Sequence, residues 1–99
     1  MAGSILVAPA AFAAAAKENH WMGVLGPIKS KDLGITLIHE HVMADFIGAA
    51  ETGTDRYDVD NVVEKALPYL LDLKKAGCKT FVDCTPVFLG RDARVLQRV

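Results

Sequence analysis

Ile35-Thr36-Leu37-Ile38 followed by His39-Glu40-His41 is the stretch that decides how this chain is read. The run ahead of the histidines is short, mostly apolar and partly β-branched, the pattern of a buried strand. Successive side chains of a strand point to opposite faces, so His39 and His41 project the same way and Glu40 the other. Two imidazoles on one face at a strand end can chelate a single metal ion. The same spacing also fits two hydrogen-bonded histidines that merely finish a strand. Glu40, on the opposite face, is assigned a structural hydrogen bond rather than acid-base work.

Upstream, Trp21 to Leu25 reads as extended and Gly26-Pro27 as its turn. Ser30 to Gly34 reads as one helical turn, with Ser30 capping its start and Gly34 taking the left-handed exit. Downstream, Ala44 to Tyr57 has no period and is rich in Gly, Thr and Asp, as a loop is. A helix begins at Asp58 or Asp60 and carries Val59, Val62, Val63, Ala66, Leu67, Leu70 and Leu73 on one stripe as far as Ala76-Gly77, with Pro68 predicting a kink or a split. Lys79 to Thr85 is a second strand stopped by Pro86, and Arg91 to Val99 starts another helix with Ala93, Val95, Leu96 and Val99 as its apolar residues. The order strand, helix, strand, helix implies an α/β protein with parallel strands and helices packed on the sheet. Two parallel strands cannot cover both faces or remove their edges, so the expectation is an N-terminal portion of a larger protein, incomplete in this chain.

The chain has 99 residues, 52% hydrophobic and 23% charged, a globular composition. Lys plus Arg number 11 against 12 for Asp plus Glu, which excludes a basic field that would recruit nucleic acid. Cys78 and Cys84 are six positions apart, about 20 Å if extended and too far for a disulfide; they are expected to be free thiols, small buried hydrophobes rather than ligands. Ile5 to Ala16 is too short and Ala-rich to be a stable membrane span, but it matches the apolar core of a secretory signal, with Ala-x-Ala sites at Ala13 to Ala15 and Ala14 to Ala16. No Lys or Arg precedes it. Residues 1–16 are therefore read as a truncated export signal on a periplasmic or secreted protein, the alternative being an Ala-rich arm on a cytoplasmic one.

Taken in order, Val24-Leu25-Gly26-Pro27-Ile28, then Leu33-Gly34-Ile35-Thr36-Leu37-Ile38-His39-Glu40-His41, then Ala76-Gly77 through Thr80-Phe81-Val82-Asp83-Cys84-Thr85 to Gly90-Arg91-Asp92 resemble the phosphotriesterase family of the amidohydrolase superfamily. The resemblance covers about Met22 to Val99. It implies a (β/α)8 TIM barrel with two divalent metals, usually zinc, at the C-terminal mouth of the strands, and it places His39 and His41 on the strand-one metal ligands. It further implies a hydrolase that attacks a phosphotriester, lactone or related small-molecule ester through a metal-bound hydroxide. The family's other ligands come from strands four, five, six and eight, which this chain does not contain. Only the strand-one half of the metal site is expected here, and the complete form could be a homo-oligomer.

Residues 17–99 are thus read as the N-terminal part of such a barrel, about two βα units behind an opening hairpin. His20, ahead of that hairpin, is read as a surface residue. Asp83 is either a group orienting a ligand imidazole or a buried carboxylate bonded to backbone or Arg. Asp92 suits the start of the last helix, and Thr85 is assigned no catalytic role. Two rivals stay open: an amidohydrolase with a different substrate class, which the H-x-H pair would serve equally, and a non-catalytic fragment or split-barrel subunit.

Overall fold

The computed structural model describes residues 19–99; the proposed leader, Ile5 to Ala16, lies outside the described residues. An antiparallel hairpin opens the described chain, β1 at His20–Gly23 and β2 at Gly26–Lys29, with Trp21 opposite Ile28 and Met22 opposite Pro27. The turn is Val24-Leu25, not Gly26-Pro27. Gly26 at φ +128° takes the conformation an L side chain resists, and Pro27 is left to pair in an edge strand, where its missing N–H costs nothing.

A single 3-10 turn, Ser30–Asp32, follows, and Gly34 leaves it at φ +60° as the sequence predicts. Ser30 does not cap it. Ser30 lies inside the turn, and its hydroxyl closes the hairpin instead, donating to the Asn19 carbonyl at 2.9 Å and accepting from Trp21 Nε1 at 3.0 Å.

The parallel pair β3, Thr36–Glu40, and β4, Thr80–Asp83, follows and is spanned by a long crossover. Thr36 is opposite Thr80 and Leu37 opposite Phe81, but Glu40 is opposite Asp83, so the register slips by one residue between Leu37 and Glu40. The start of β4 is tied to the chain ahead of β3: Lys79 and Thr80 N–H donate to the Ile35 carbonyl at 2.9 and 3.1 Å, and Thr80 Oγ1 donates to the Leu33 carbonyl at 2.6 Å.

Helix α1, Val59–Lys75, forms the crossover; Asp58 caps it by accepting from Asn61 N–H at 2.9 Å, and Gly77 at φ +105° turns the chain back. Pro68 neither splits nor ends it. The proline removes the N–H that would bond the Glu64 carbonyl, yet both residues are exposed, so that carbonyl stays open to solvent and the cost is small. The last helix, α2, is shorter than the sequence pattern suggests, Ala93–Leu96, and Asp92 caps it through Arg94 N–H at 2.9 Å. Val95 on α2 is fully buried and Val63 on α1 nearly so. Arg98 reaches Asp60 of α1 at 2.6 Å, and Gln97 Nε2 donates to the Val24 carbonyl at 3.2 Å, which ties the chain end to both helix and hairpin.

The hydrophobic interior is small. Met22, Leu25, Ile38 and Phe46 are 83%, 84%, 76% and 81% exposed. That much bare apolar surface is what an isolated pair of βα units leaves uncovered.

Candidate metal centre

His39 is the penultimate residue of β3 and His41 lies just past its end, at the C-terminal edge of the parallel pair. The two rings meet edge to face with centroids 5.5 Å apart, and both are exposed. Cys84, one residue beyond β4, joins them: one donor atom from each of His39, His41 and Cys84 lies within 4.8 Å of the others. Cys84 Sγ is 3.7 Å from His41 Nε2. His20 is exposed on β1 and stands outside this group.

The expectation that both cysteines are small buried hydrophobes fails for Cys84, which is exposed, while Cys78 is half-buried with its thiol against the Thr80 carbonyl at 3.4 Å. Both are free thiols. The register explains the difference. Carried forward from Glu40 opposite Asp83, the pairing sets His41 level with Cys84, and Cys84 N–H donates to the Glu40 carbonyl at 3.0 Å. Glu40 holds the strand ends together through this backbone oxygen, not through its carboxylate.

Beneath the imidazole of His41 lies a polar support. Thr85 is only 1% exposed, and its Oγ1 is 2.8 Å from His41 Nδ1. Asp83 accepts from Val42 N–H at 2.9 Å and from Thr85 N–H at 2.8 Å. Burial raises the Asp83 pKa, but these backbone hydrogen bonds, with the nearby Thr85 hydroxyl and His41, outweigh it and hold the carboxyl below its ordinary value. Thr85 Oγ1 engages His41 Nδ1, and Nε2 is left on the side that faces Cys84. Of the two roles open to Asp83, the structure shows backbone hydrogen bonding, and one of its donors is the N–H of the residue whose hydroxyl meets His41.

Asp92 anchors a second polar cluster behind the loops. Its carboxylate, 6% exposed, accepts from the Tyr57 hydroxyl and pairs with Arg94 at 2.6 Å. The Arg94 hydrogen bond is the main cause that drives the Asp92 pKa well below the carboxylate range, against burial, which pushes it up. Gly90, buried at φ +100°, lets the loop after β4 close on the loop after β3; a Cβ there would come within 3.3 Å of the Asp45 backbone, whose N–H donates to the Leu89 carbonyl at 2.7 Å.

The sequence points to the histidine pair, but it reads Cys84 as a buried hydrophobe and gives Thr85 no role, whereas the structure brings both against His41. The signal was available in principle, since residues that end neighbouring parallel strands share one edge; finding which ones face each other requires the register, and the one-residue slip hides it.

Paired βα units with donors at the C-terminal ends of their strands define a portion of a (β/α)8 barrel, a fold whose sites lie at that end. The profile of the phosphotriesterase family matches residues 20–99, and the chain belongs to that family. A phosphotriesterase homology protein of Mycobacterium tuberculosis is 40% identical over 75 residues, 75% of this chain and 23% of that protein. An aryldialkylphosphatase of Saccharolobus solfataricus is 36% identical over 72 residues, 73% of this chain and 23% of the relative. Among solved structures, one from the engineering of organophosphate hydrolysis in a weak promiscuous lactonase template superposes with a TM-score of 0.71 at 30% identity, covering 81% of this chain and 25% of that one. A triple mutant of the organophosphorus hydrolase from Deinococcus radiodurans gives 0.69 at 29% identity, over 83% and 25%. This chain therefore spans about a quarter of the length of these relatives.

Proposed function

We propose that His39 and His41 hold a divalent metal, zinc first among candidates, in a hydrolase that cleaves a small phosphotriester, lactone or related ester. One observation carries the reading: in a chain of the phosphotriesterase family, both imidazoles stand together at the C-terminal edge of the parallel strands. The donor chemistry fits. Imidazole suits zinc, cobalt, nickel and copper, and with Nδ1 of His41 engaged by Thr85, Nε2 is the nitrogen left open. When bound, such a metal supplies Lewis acidity that polarises the ester and acidifies water at neutral pH.

The chain's own residues do the rest of the work seen here. Thr85 holds the His41 ring at Nδ1, Asp83 ties down the backbone of Val42 and Thr85 on either side, and the β3–β4 backbone bonds keep both strand ends level, so the donors need little reorganisation to bind. The relatives named for aryldialkylphosphatase activity and for a lactonase template suggest the ester class. Turnover is assigned to a complete barrel, because the exposed Ile38 and Phe46 need further strands to cover them and water must be excluded from the site.

The test is made in a barrel-complete protein that carries this segment. His39→Ala and His41→Ala should each remove metal and cut turnover of an aryl phosphotriester and of a lactone by about 100-fold or more, whereas Glu40→Gln should leave metal content intact. Full metal occupancy in either histidine variant, measured by elemental analysis, would show that the pair only finishes a strand.

A further inference from the structure

Nothing in the hydrolase reading uses the thiol that stands beside the histidine pair. We propose that the Cys84 thiolate is a third protein donor to the metal held by His39 and His41. The inference rests on the preceding reading of the pair and extends it.

Three observations carry it. The first is distance: donors at about 2.05 Å and 2.3 Å from one tetrahedral zinc stand about 3.6 Å apart, and Cys84 Sγ lies 3.7 Å from His41 Nε2. The second is the orientation of the ring, since Nδ1 of His41 is engaged by Thr85 Oγ1 at 2.8 Å and Nε2, the nitrogen that faces the sulfur, is the one open to a metal. The third is availability. Cys84 is exposed and free, and Cys78 sits ahead of the opposite end of β4, occupied with the Thr80 carbonyl, so no disulfide within the described residues consumes the thiol.

The binding step is simple to balance. The Cys84 thiol gives up its weak contact to the Glu40 carbonyl at 3.6 Å, its proton leaves to solvent, and the sulfur lone pair enters the metal's coordination shell with no change of oxidation state. A thiolate makes the site prefer zinc, cobalt and cadmium over magnesium, manganese and calcium, whose ligands are oxygens.

Cobalt(II) reads this directly, because only a cobalt–thiolate bond gives an intense charge-transfer band in the near ultraviolet. The full chain, kept anaerobic and reduced with a phosphine, is titrated with cobalt(II) alongside Cys84→Ser and Cys78→Ser. The band is expected in the unmodified chain and in Cys78→Ser, and it should vanish in Cys84→Ser together with a loss of cobalt affinity of about 10-fold or more. A measurement without substitution guards against a variant that fails to fold: zinc should protect Cys84, and not Cys78, from iodoacetamide in the unmodified chain, with a chelator restoring the reactivity. Cobalt bound through ligand-field bands alone, with no charge transfer and no protection of Cys84, overturns the thiolate while leaving the histidine pair standing. Failure to take up any cobalt overturns both.

Discussion

Replacing Thr85 by Val removes one hydroxyl and keeps nearly the same volume, which isolates the support beneath His41. Thr85 is 1% exposed, so no water can take the place of the lost oxygen, and the 2.8 Å contact to His41 Nδ1 disappears outright. Asp83 keeps its two backbone donors, Val42 N–H and Thr85 N–H. Folding should therefore suffer by only about 1 kcal/mol, the net worth of an ordinary hydrogen bond. Metal binding should suffer more. Partners that orient a ligand imidazole are worth about 10- to 100-fold in affinity, or about 1.4 to 2.7 kcal/mol. The assay is zinc competition against a chromophoric chelator, with circular dichroism on the same samples. Thr85→Ser keeps the hydroxyl and should bind zinc nearly as the unmodified chain does. If folded Thr85→Val binds as tightly as the parent, or if Thr85→Ser loses as much as Thr85→Val, the proposed chain of hydrogen bonds does not orient the ring.

Three further outcomes follow from other parts of the molecule. The Asp92 carboxyl is held well below its ordinary 3.8, chiefly by Arg94, so the folded state binds fewer acid protons than the unfolded one; the resulting stability is full above about pH 4 and drains away as pH falls toward the folded value. Asp92→Asn should flatten that acid dependence in urea titrations run from pH 6 downward, and an unchanged slope would refute it. Gly34→Ala demands φ +60° of a residue with a side chain and drives its Cβ to 2.9 Å from Lys79 Cβ, so a loss of about 1 to 3 kcal/mol is expected by denaturant melt. For the leader, we propose export with cleavage near Ala16; N-terminal sequencing of protein recovered from the native host should begin close to Lys17, and an intact Met1 on a cytoplasmic product would count against it.

Much of the architecture was legible because it rests on local chemistry. Asp58 and Gly77 mark the two ends of α1, Gly34 needs its positive φ, and the spacing of His39 and His41 follows from strand geometry alone. What escaped was set by neighbours in space. Pro68 reads as a break, yet the helix passes through it because the orphaned carbonyl lies on the solvent side. Ser30 reads as a cap, yet Asn19 and Trp21 claim its hydroxyl from across the hairpin. The same holds at the site: nothing near Cys84 or Thr85 in the sequence announces an imidazole, because their partner lies 43 and 44 positions away.

The slip between Leu37 and Glu40 has a consequence for how this protein can vary. Had the pairing of Thr36 with Thr80 continued without interruption, His41 would have come level with Thr85; the additional residue in β3 sets it level with Cys84 instead. Which side chains meet at the mouth is thus governed by how many residues each strand has as much as by which ones. A library of point changes at Leu37 and Ile38 should leave most members able to assemble the three donors, whereas adding or removing a single residue on either strand after the slip would exchange one set of neighbours for another. Natural relatives and designed variants of this segment should accordingly show substitutions at Leu37 and Ile38 far more often than changes of length.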